Sequence, residues 1–242
     1  MNRFFVKKED ISDNTAIITG EDVKHISRVL RMAPGDKVMI CDGVGYQYLA
    51  EIAEISKDDV RLSILSAERC ASEPPQRITL YQGLPKGDKM ELIVQKCVEL
   101  GISEIVPAAA ERSVVKVKPG EFGGKRTRYQ RVAYEAAKQC GRGIIPEIAE
   151  LTTFKAADFS RHDLIIIAYE DEKSKTLKSL LKDNLSAKDI AVVIGPEGGL
   201  ERCEVDTLIQ KGGTAVTLGP RILRTETAGM AALAMILYEI ED

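Results

Sequence analysis

Several residue types that build common functional sites are scarce in this chain of 242 residues. It has no tryptophan, only two histidines, His25 and His162, and five cysteines that lie far apart and never form a C-x-x-C pair. This composition argues against a histidine-rich metal centre, a zinc site and a disulfide framework. We therefore expect the protein to use no metal.

Long hydrophobic runs are also missing. The longest candidate, residues 230–240, is much shorter than the roughly 18 apolar residues that suggest a membrane span. The N-terminus, Met1 to Lys8, lacks the apolar core of a signal peptide. We expect a cytoplasmic protein with no membrane partner.

The common motifs of nucleotide-binding enzymes and hydrolases do not occur either. There is no G-x-G-x-x-G after the first strand of the α/β region, no G-x-x-x-x-G-K-[ST] and no G-x-S-x-G. The segment Gly83 to Lys89 faintly resembles a phosphate-binding loop, but its spacing is wrong. These absences argue against an ATPase, a serine hydrolase and a standard dinucleotide enzyme.

The pattern of the chain changes at residues 72–77, which contain two adjacent prolines. Before them, short β-like segments and one helical piece at 21–30 predict a small β-barrel over residues 1–71. After them, strands alternate with helices, which predicts a mainly parallel α/β domain over residues 78–242. The expected strands are 3–6, 15–19, 37–41, 46–55 and 60–65, then 78–82, 104–108, 164–168, 190–194 and 214–218. The expected helices of the second domain are 86–100, 126–140, 177–185, 201–211 and one from 225.

Two loops with glycine and proline follow expected strands of the α/β domain. Residues 190–194 run into Gly-Pro-Glu-Gly-Gly at 195–199, and residues 214–218 run into Gly-Pro-Arg-Ile-Leu-Arg at 219–224. Ligands of parallel sheets bind at the carboxyl ends of the strands, and glycine lets a ligand approach the backbone. We predict that both loops line one ligand pocket and that Thr225 caps the last helix. Tight connections without a ligand are the alternative.

The expected C-terminal helix is apolar on nearly every face. Such a helix must be buried all round. We predict that it packs on the two loops on one side and on a second subunit on the other. Simple burial within one chain is the alternative.

Positive charge is clustered although the formal net charge is −3. One cluster spans residues 24–31, and the segment 111–142 holds nine basic and three acidic residues. Phosphate binding needs local positive potential, so a nucleic-acid partner is compatible with an acidic chain. Solvated helix faces are the alternative.

The motifs at 194–200 and 218–228, with those at 82–91 and 25–31, resemble the SPOUT-class knotted RNA methyltransferases. Most similar is the family of small-subunit (16S) ribosomal RNA uridine-N3 methyltransferases. The resemblance implies a PUA-like RNA-binding barrel, then a SPOUT α/β domain with a trefoil knot. It also implies S-adenosylmethionine as methyl donor, a homodimer through the C-terminal helix, and a target uridine near the decoding site of assembled small subunits. One departure is Leu200-Glu201, where members often have an aromatic residue and serine, which leaves the cap of the next helix open.

The resemblance assigns site residues by motif. It implies an S-adenosylmethionine pocket lined by Leu84, Ile194, Gly195, Gly198, Gly199, Leu218, Gly219, Ile222 and Leu223. Arg224 is expected to polarise the uracil carbonyls, and Glu197 or Glu226 to orient it or relay the N3 proton. A plain Arg224–Glu226 salt bridge is the structural alternative. The expected phosphate contacts are Arg3, His25, Arg28 and Arg31 in the barrel, and Lys125, Arg126 and Arg128 in the catalytic domain.

Two rival functions remain open at the level of sequence. One is a knotted methyltransferase that acts on transfer RNA or another base. The other is a non-catalytic ribosome-assembly factor with the same fold, which would not turn over S-adenosylmethionine.

Overall fold

A computed structural model describes residues 1–113 and 120–240 of the chain. Lys116 and Lys118 of the basic cluster lie outside the described residues. Contacts divide the chain into two units, Met1–Glu73 with Ala137–Ile145, and Pro74–Ala136 with Pro146–Asp242. The boundaries expected from the sequence, 1–71, 72–77 and 78–242, stay a prediction.

The first unit is built on a curled, half-barrel sheet of five strands. Their order is β1-β3-β4-β5-β2, and only the β1–β3 pair is parallel. Two register shifts between β4 and β5 bend the sheet, as bulges do. The strands are β1 (Arg3–Phe5), β2 (Thr15–Thr19), β3 (Lys37–Cys41), β4 (Tyr46–Ile55) and β5 (Asp59–Arg69).

The helical piece expected at 21–30 is split in two. Helix α1 (Glu21–Lys24) continues into a π-helical turn, His25–Val29, whose wider winding shows in the hydrogen bond from Leu30 N to His25 O. The pattern of apolar residues does not distinguish an α-helix from a π-helix, so the sequence could not predict this change. Arg31, with φ of 53°, ends the segment in the left-handed region.

The second segment of this unit, Ala137–Ile145, is held by Glu73. The Glu73 carboxylate accepts hydrogen bonds from the Arg142 guanidinium and from the backbone N–H groups of Gly143 and Ile144. Arg142 is buried, so its charge needs this partner.

The second unit contains a parallel sheet, as expected, with seven strands where five were predicted. The main path is β12-β10-β11-β6-β7-β8, and β9 pairs with β7. The strands are β6 (Arg77–Gly83), β7 (Glu104–Ala109), β8 (Glu147–Ile148), β9 (Thr152–Thr153), β10 (Leu164–Ala168), β11 (Asp189–Ile194) and β12 (Thr214–Val216). The helices that follow α1 are α2 (Lys89–Glu99), α3 (Phe122–Cys140), α4 (Leu177–Lys182), α5 (Arg202–Gln210) and α6 (Thr225–Ile240). None of the described helices is long and apolar enough to cross a membrane.

The strand order brings distant motifs to one edge of the sheet. Strands β6 and β11 are neighbours, with Gln82 opposite Ile194, so the loops that follow them start side by side. The chain leaves β12, at the end of the sheet, and returns in α6, which packs on α2, β11 and β6.

Helix α6 is buried on one side only. Ala228, Leu233 and Ile236 are buried, whereas Met235 and Tyr238 are exposed, Tyr238 to 88%. The alternative that α6 is simply buried within one chain is therefore wrong.

Candidate cofactor and active site

Residues 195–199, which we call the closed loop, form a turn that is folded against itself. Gly199 has φ of 72° and donates from its N–H to the Pro196 carbonyl at 2.9 Å. A Cβ at Gly195 would lie only 2.8 Å from the Gly199 carbonyl carbon, and one at Gly83 would lie 2.6 Å from Pro196. Gly195 and Gly83 are therefore needed because protein backbone packs against them, and Gly199 is needed for its positive φ.

The departure at Leu200-Glu201 leaves the next helix well capped. Leu200 is buried, and Glu201 stands at the N-cap of α5, where its N–H donates to the Glu204 carboxylate at 2.9 Å, as in a capping box. The Glu201 carboxylate pairs with Arg112 at 2.7 Å, and this hydrogen bond lowers the pKa of Glu201. Arg112 also donates to the Gly198 carbonyl at 3.2 Å. The acidic cap thus ties the closed loop to the segment after β7.

Thr225 has a different role from the expected one. It is the first residue of α6, not its cap, and only 5% of it is exposed. Its hydroxyl donates to the Gly195 carbonyl at 2.6 Å and accepts from the Gln82 amide at 2.8 Å. The capping prediction is wrong because this hydroxyl meets a partner 143 residues away, which no local pattern could show.

Gln82 is a site residue that the sequence analysis missed. Its amide nitrogen also donates to the Gly83 carbonyl at 3.0 Å, and its side chain is fully buried. The available signal was a polar residue at the end of the apolar strand β6. With Thr225 and Gly195 it brings together three of the four motifs that carry the resemblance.

Residues 218–224, which we call the open loop, are by contrast largely exposed to solvent. Gly219 has φ of 128°, and a Cβ there would meet no atom within 4 Å. Ile222 is 85% exposed, while Leu218 and Leu223 are half-buried. Within the described part of the chain, the backbone N–H groups of Leu218, Ile222 and Leu223 donate no hydrogen bond.

These features fit a nucleoside cofactor. Free backbone donors suit the nitrogens and oxygens of an adenosine, and the leucine side chains suit its apolar faces. Leu84 and Ile194 are buried at the ends of β6 and β11. The Thr225 hydroxyl fixes the end of the open loop beside Gly195 of the closed loop. The predicted pocket residues thus surround one edge of the sheet, although their contact with a ligand stays a prediction.

Lys89 lies between the two acids predicted to be catalytic. Its ammonium nitrogen is 2.9 Å from Glu197 Oε1 and 3.3 Å from Glu226 Oε2. Glu197 also accepts from the Lys86 backbone N–H at 3.1 Å. Burial alone would raise the pKa of Glu197, but these hydrogen bonds outweigh it and the pKa is lowered. The sequence analysis did not assign a role to Lys89.

Arg224 is exposed at the end of the open loop. Among the described residues its guanidinium has no ion pair, and Glu226 pairs with Lys89 instead. The alternative of an Arg224–Glu226 salt bridge is therefore wrong. Its role in catalysis stays a prediction.

The predicted phosphate contacts of the first unit differ in exposure. Arg3 is half-buried and donates to Cys41 Sγ at 2.9 Å and to the Gln47 side chain at 3.0 Å. His25, Arg28 and Arg31 are exposed along the π-helical turn and at its end. Their role in binding RNA stays a prediction.

The basic face of α3 in the second unit is largely paired within the chain. Arg126 bonds the Ile148 carbonyl and the carboxylates of Glu147 and Glu150. Arg128 pairs with Glu91 at 2.6 Å. Lys125 is exposed and has no ion pair within residues 1–113 and 120–240. A charge count along the sequence therefore overstates the free positive charge here, because the partners come from other elements.

Comparison with known proteins identifies the family. Residues 72–237 match the model of an RNA methyltransferase domain, and residues 18–65 match that of an RNA methyltransferase PUA domain. The ribosomal RNA small subunit methyltransferase E of Bacillus subtilis is 36% identical over 100% of this chain and 98% of its own length. The chain belongs to the methyltransferase E family.

Other members of the methyltransferase E family agree over the whole chain. The protein of that name from Synechocystis is 34% identical, over 99% of this chain and 78% of its own length. The crystal structure of the Neisseria gonorrhoeae methyltransferase E bound to S-adenosyl methionine has a TM-score of 0.85 and 30% identity, over 98% and 97% of the two chains. A putative Legionella pneumophila methyltransferase with the same cofactor matches equally, over 98% and 96%.

Membership of the methyltransferase E family confirms the expected fold class, a SPOUT-type parallel α/β domain with a PUA-like domain. It also confirms that the chain is an RNA methyltransferase. Among the described residues, no group of three or more His, Cys, Asp or Glu side chains is arranged to hold a metal ion.

Proposed function

We propose that this enzyme transfers the methyl group of S-adenosylmethionine to N3 of one uridine of small-subunit ribosomal RNA, near the decoding site of assembled subunits. The relatives named ribosomal RNA small subunit methyltransferase E and the neighbours bound to S-adenosyl methionine support it. The observation that carries it is the open loop with its free backbone donors, fixed beside the closed loop by Thr225. A ribosomal substrate also implies that the enzyme works in the cytoplasm.

The cofactor would lie against residues already described. The N–H groups of Leu218, Ile222 and Leu223 would hold the polar atoms of the adenosine, and the side chains of Leu84 and Ile194 would form an apolar wall. Gly198, Gly199 and Gly219 would keep the backbone close to it. When bound, the sulfonium supplies a methyl group with a good leaving group already attached.

The chain's own task is to position the uracil and handle its N3 proton. Arg224 would bind the uracil carbonyl oxygens and stabilise the anion that forms as N3 loses its proton. Glu226 is the better candidate for the proton acceptor, because Glu197 is committed to hydrogen bonds from Lys86 and Lys89. In the transfer, the bond from sulfur to the methyl carbon breaks as the bond from that carbon to N3 forms.

We further propose a homodimer through α6. Thr227, Met235 and Tyr238 are exposed on this helix, and Ile222 of the open loop is exposed as well. Large apolar side chains exposed in this way favour a protein partner. Light scattering of the full chain should give twice the monomer mass, and Tyr238→Glu should lower it.

Mass spectrometry of ribosomal RNA tests the proposed reaction. Cells that lack the protein should lose N3-methyluridine near the decoding site, and the purified enzyme should restore it on isolated small subunits. Retention of the modified base in those cells would refute the proposal. Methylation of transfer RNA instead, or cofactor binding without turnover, would favour one of the two rival functions.

A further inference from the structure

We propose that Lys89 is a positioning residue that brackets Glu197 and Glu226 and keeps both carboxylates charged and fixed beside Arg224. The inference rests on the proposed function, because that function gives the two acids and Arg224 their roles. Lys89 itself would touch neither cofactor nor RNA.

The bracket joins three segments that are far apart in the sequence. Lys89 is the first residue of α2, Glu197 lies in the closed loop, and Glu226 lies in the first turn of α6. The ammonium is 2.9 Å from one carboxylate and 3.3 Å from the other. Since Arg224 precedes Glu226 by two residues, the bracket also sets where the open loop ends.

The charges on these side chains are partly shielded from water. The exposed fractions of the Lys89, Glu197 and Glu226 side chains are 32%, 29% and 14%. Other charged residues of these segments are Lys86, Asp88 and Glu91 near Lys89 in the sequence, Arg128, which pairs with Asp88 and Glu91, and Arg224, two residues before Glu226. Arg112, which bonds the closed loop at Gly198, is committed to Glu201. Among the described residues, Lys89 is the cation that forms an ion pair with both acids.

Without the ammonium, the two acids would face each other. Their nearest oxygens lie no more than about 6 Å apart, because both contact one nitrogen atom. Carboxylates at this distance disfavour each other's charge, so one pKa of the pair would rise. In the intact protein the pKa of Glu197 is lowered and that of Lys89 is raised, each by their mutual hydrogen bond. Both pKa shifts agree with a contact in which Lys89 acts through its charge.

The test compares pH profiles of kcat for the full-length wild type, Lys89→Met, Lys89→Arg and the double variant Lys89→Met with Glu197→Gln. We expect Lys89→Met to lower kcat by about 10-fold to 100-fold, with an affinity for S-adenosylmethionine within about 3-fold of wild type. We expect the acid limb of its kcat profile to move up by about one pH unit, because one of the two carboxylates is then protonated at a higher pH. Lys89→Arg should retain the wild-type limb.

The double variant separates charge from packing. Removing one carboxylate removes the repulsion, so its acid limb should return toward that of the wild type although Lys89 is still methionine. The matched control is Lys96→Met, which removes a cation from the same helix, where Lys96 pairs with Glu99 at 2.8 Å. That variant should keep the wild-type profile.

A Lys89→Met enzyme with an unshifted acid limb would overturn the inference, as would an equal shift in Lys96→Met. If the wild type itself methylates no ribosomal RNA, the proposed function fails, and carbon-13 NMR of the glutamate carboxyls then decides on the bracket alone. A higher pKa for Glu197 in Lys89→Met would support it, and an unchanged value would refute it.

Discussion

The closed loop and the open loop share a Gly-Pro start and a position after a parallel strand, yet they are built for different purposes. The glycines at 195 and 199 are enclosed by protein atoms, and the carbonyls of Gly195, Pro196 and Gly198 all accept hydrogen bonds. The open loop leaves Gly219 in free space and the N–H groups of Leu218, Ile222 and Leu223 without partners in the described chain. A glycine-rich loop can therefore serve the fold or the ligand, and the sequence motif alone does not say which.

The largest expected effect on activity comes from the open loop. Arg224→Ala should lower kcat by about 100-fold to 1000-fold, as the loss of a group that stabilises a developing anion does, and leave the free energy of unfolding unchanged. Arg221→Ala, in the same exposed loop, is the control and should keep most of the activity. Single-turnover methylation of small subunits measures both. Wild-type turnover in Arg224→Ala would remove its proposed role.

Thr225→Val should lower the free energy of unfolding most. It removes the hydroxyl that bonds Gly195 and Gln82 and leaves buried polar groups without partners, at about 1–3 kcal/mol each, so we expect a loss of about 2–4 kcal/mol. Thr225→Ser keeps the hydroxyl and should lose much less. Urea unfolding measures the difference. Equal stability of the two variants would mean that the hydroxyl does not join the loops.

A matched pair of glycine variants compares the two loops directly. Gly195→Ala places a Cβ 2.8 Å from backbone and should cost about 1–3 kcal/mol of stability, with weaker cofactor binding as a consequence. Gly219→Ala meets no protein atom, so its cost in stability is only the roughly 1–2 kcal/mol of its positive-φ backbone. Urea unfolding should rank the two losses of stability in this order, and the reverse order would contradict the comparison.

The smallest effect is expected for the ion pair between Arg112 and Glu201, the N-cap residue of α5. The pKa of Glu201 is lowered in the folded state by Arg112, so this pair stabilises the protein above the ordinary pKa of a glutamate, and that contribution is lost as the pH falls through the lowered value. Arg112→Met should therefore lower the Tm slightly near neutral pH, and the difference from wild type should vanish in acid. A Tm difference that grows as the pH falls would exclude this explanation.

Local patterns were enough for the elements of the fold but not for the contacts of the site. Strands β2, β3, β4 and β10 match their predicted bounds, because turn residues and apolar alternation or runs define them. The two-residue strands β8 and β9 were missed, since so short a segment carries no periodicity. The roles of Thr225 and Lys89, and the pairing of Arg126, depend on partners far along the chain. No window of sequence contains both members of such a pair.

The Thr225 hydrogen bonds also bear on how the protein is made. Their partner Gln82 lies 143 residues earlier, so the centre of the parallel sheet keeps a buried amide without this partner until almost the whole chain has left the ribosome. The first unit needs nothing beyond Ile145 and can fold during synthesis. Contacts of such long sequence separation form slowly. We therefore expect translation to yield an early-folded N-terminal unit, followed by a slow step in which the last helix completes the catalytic domain.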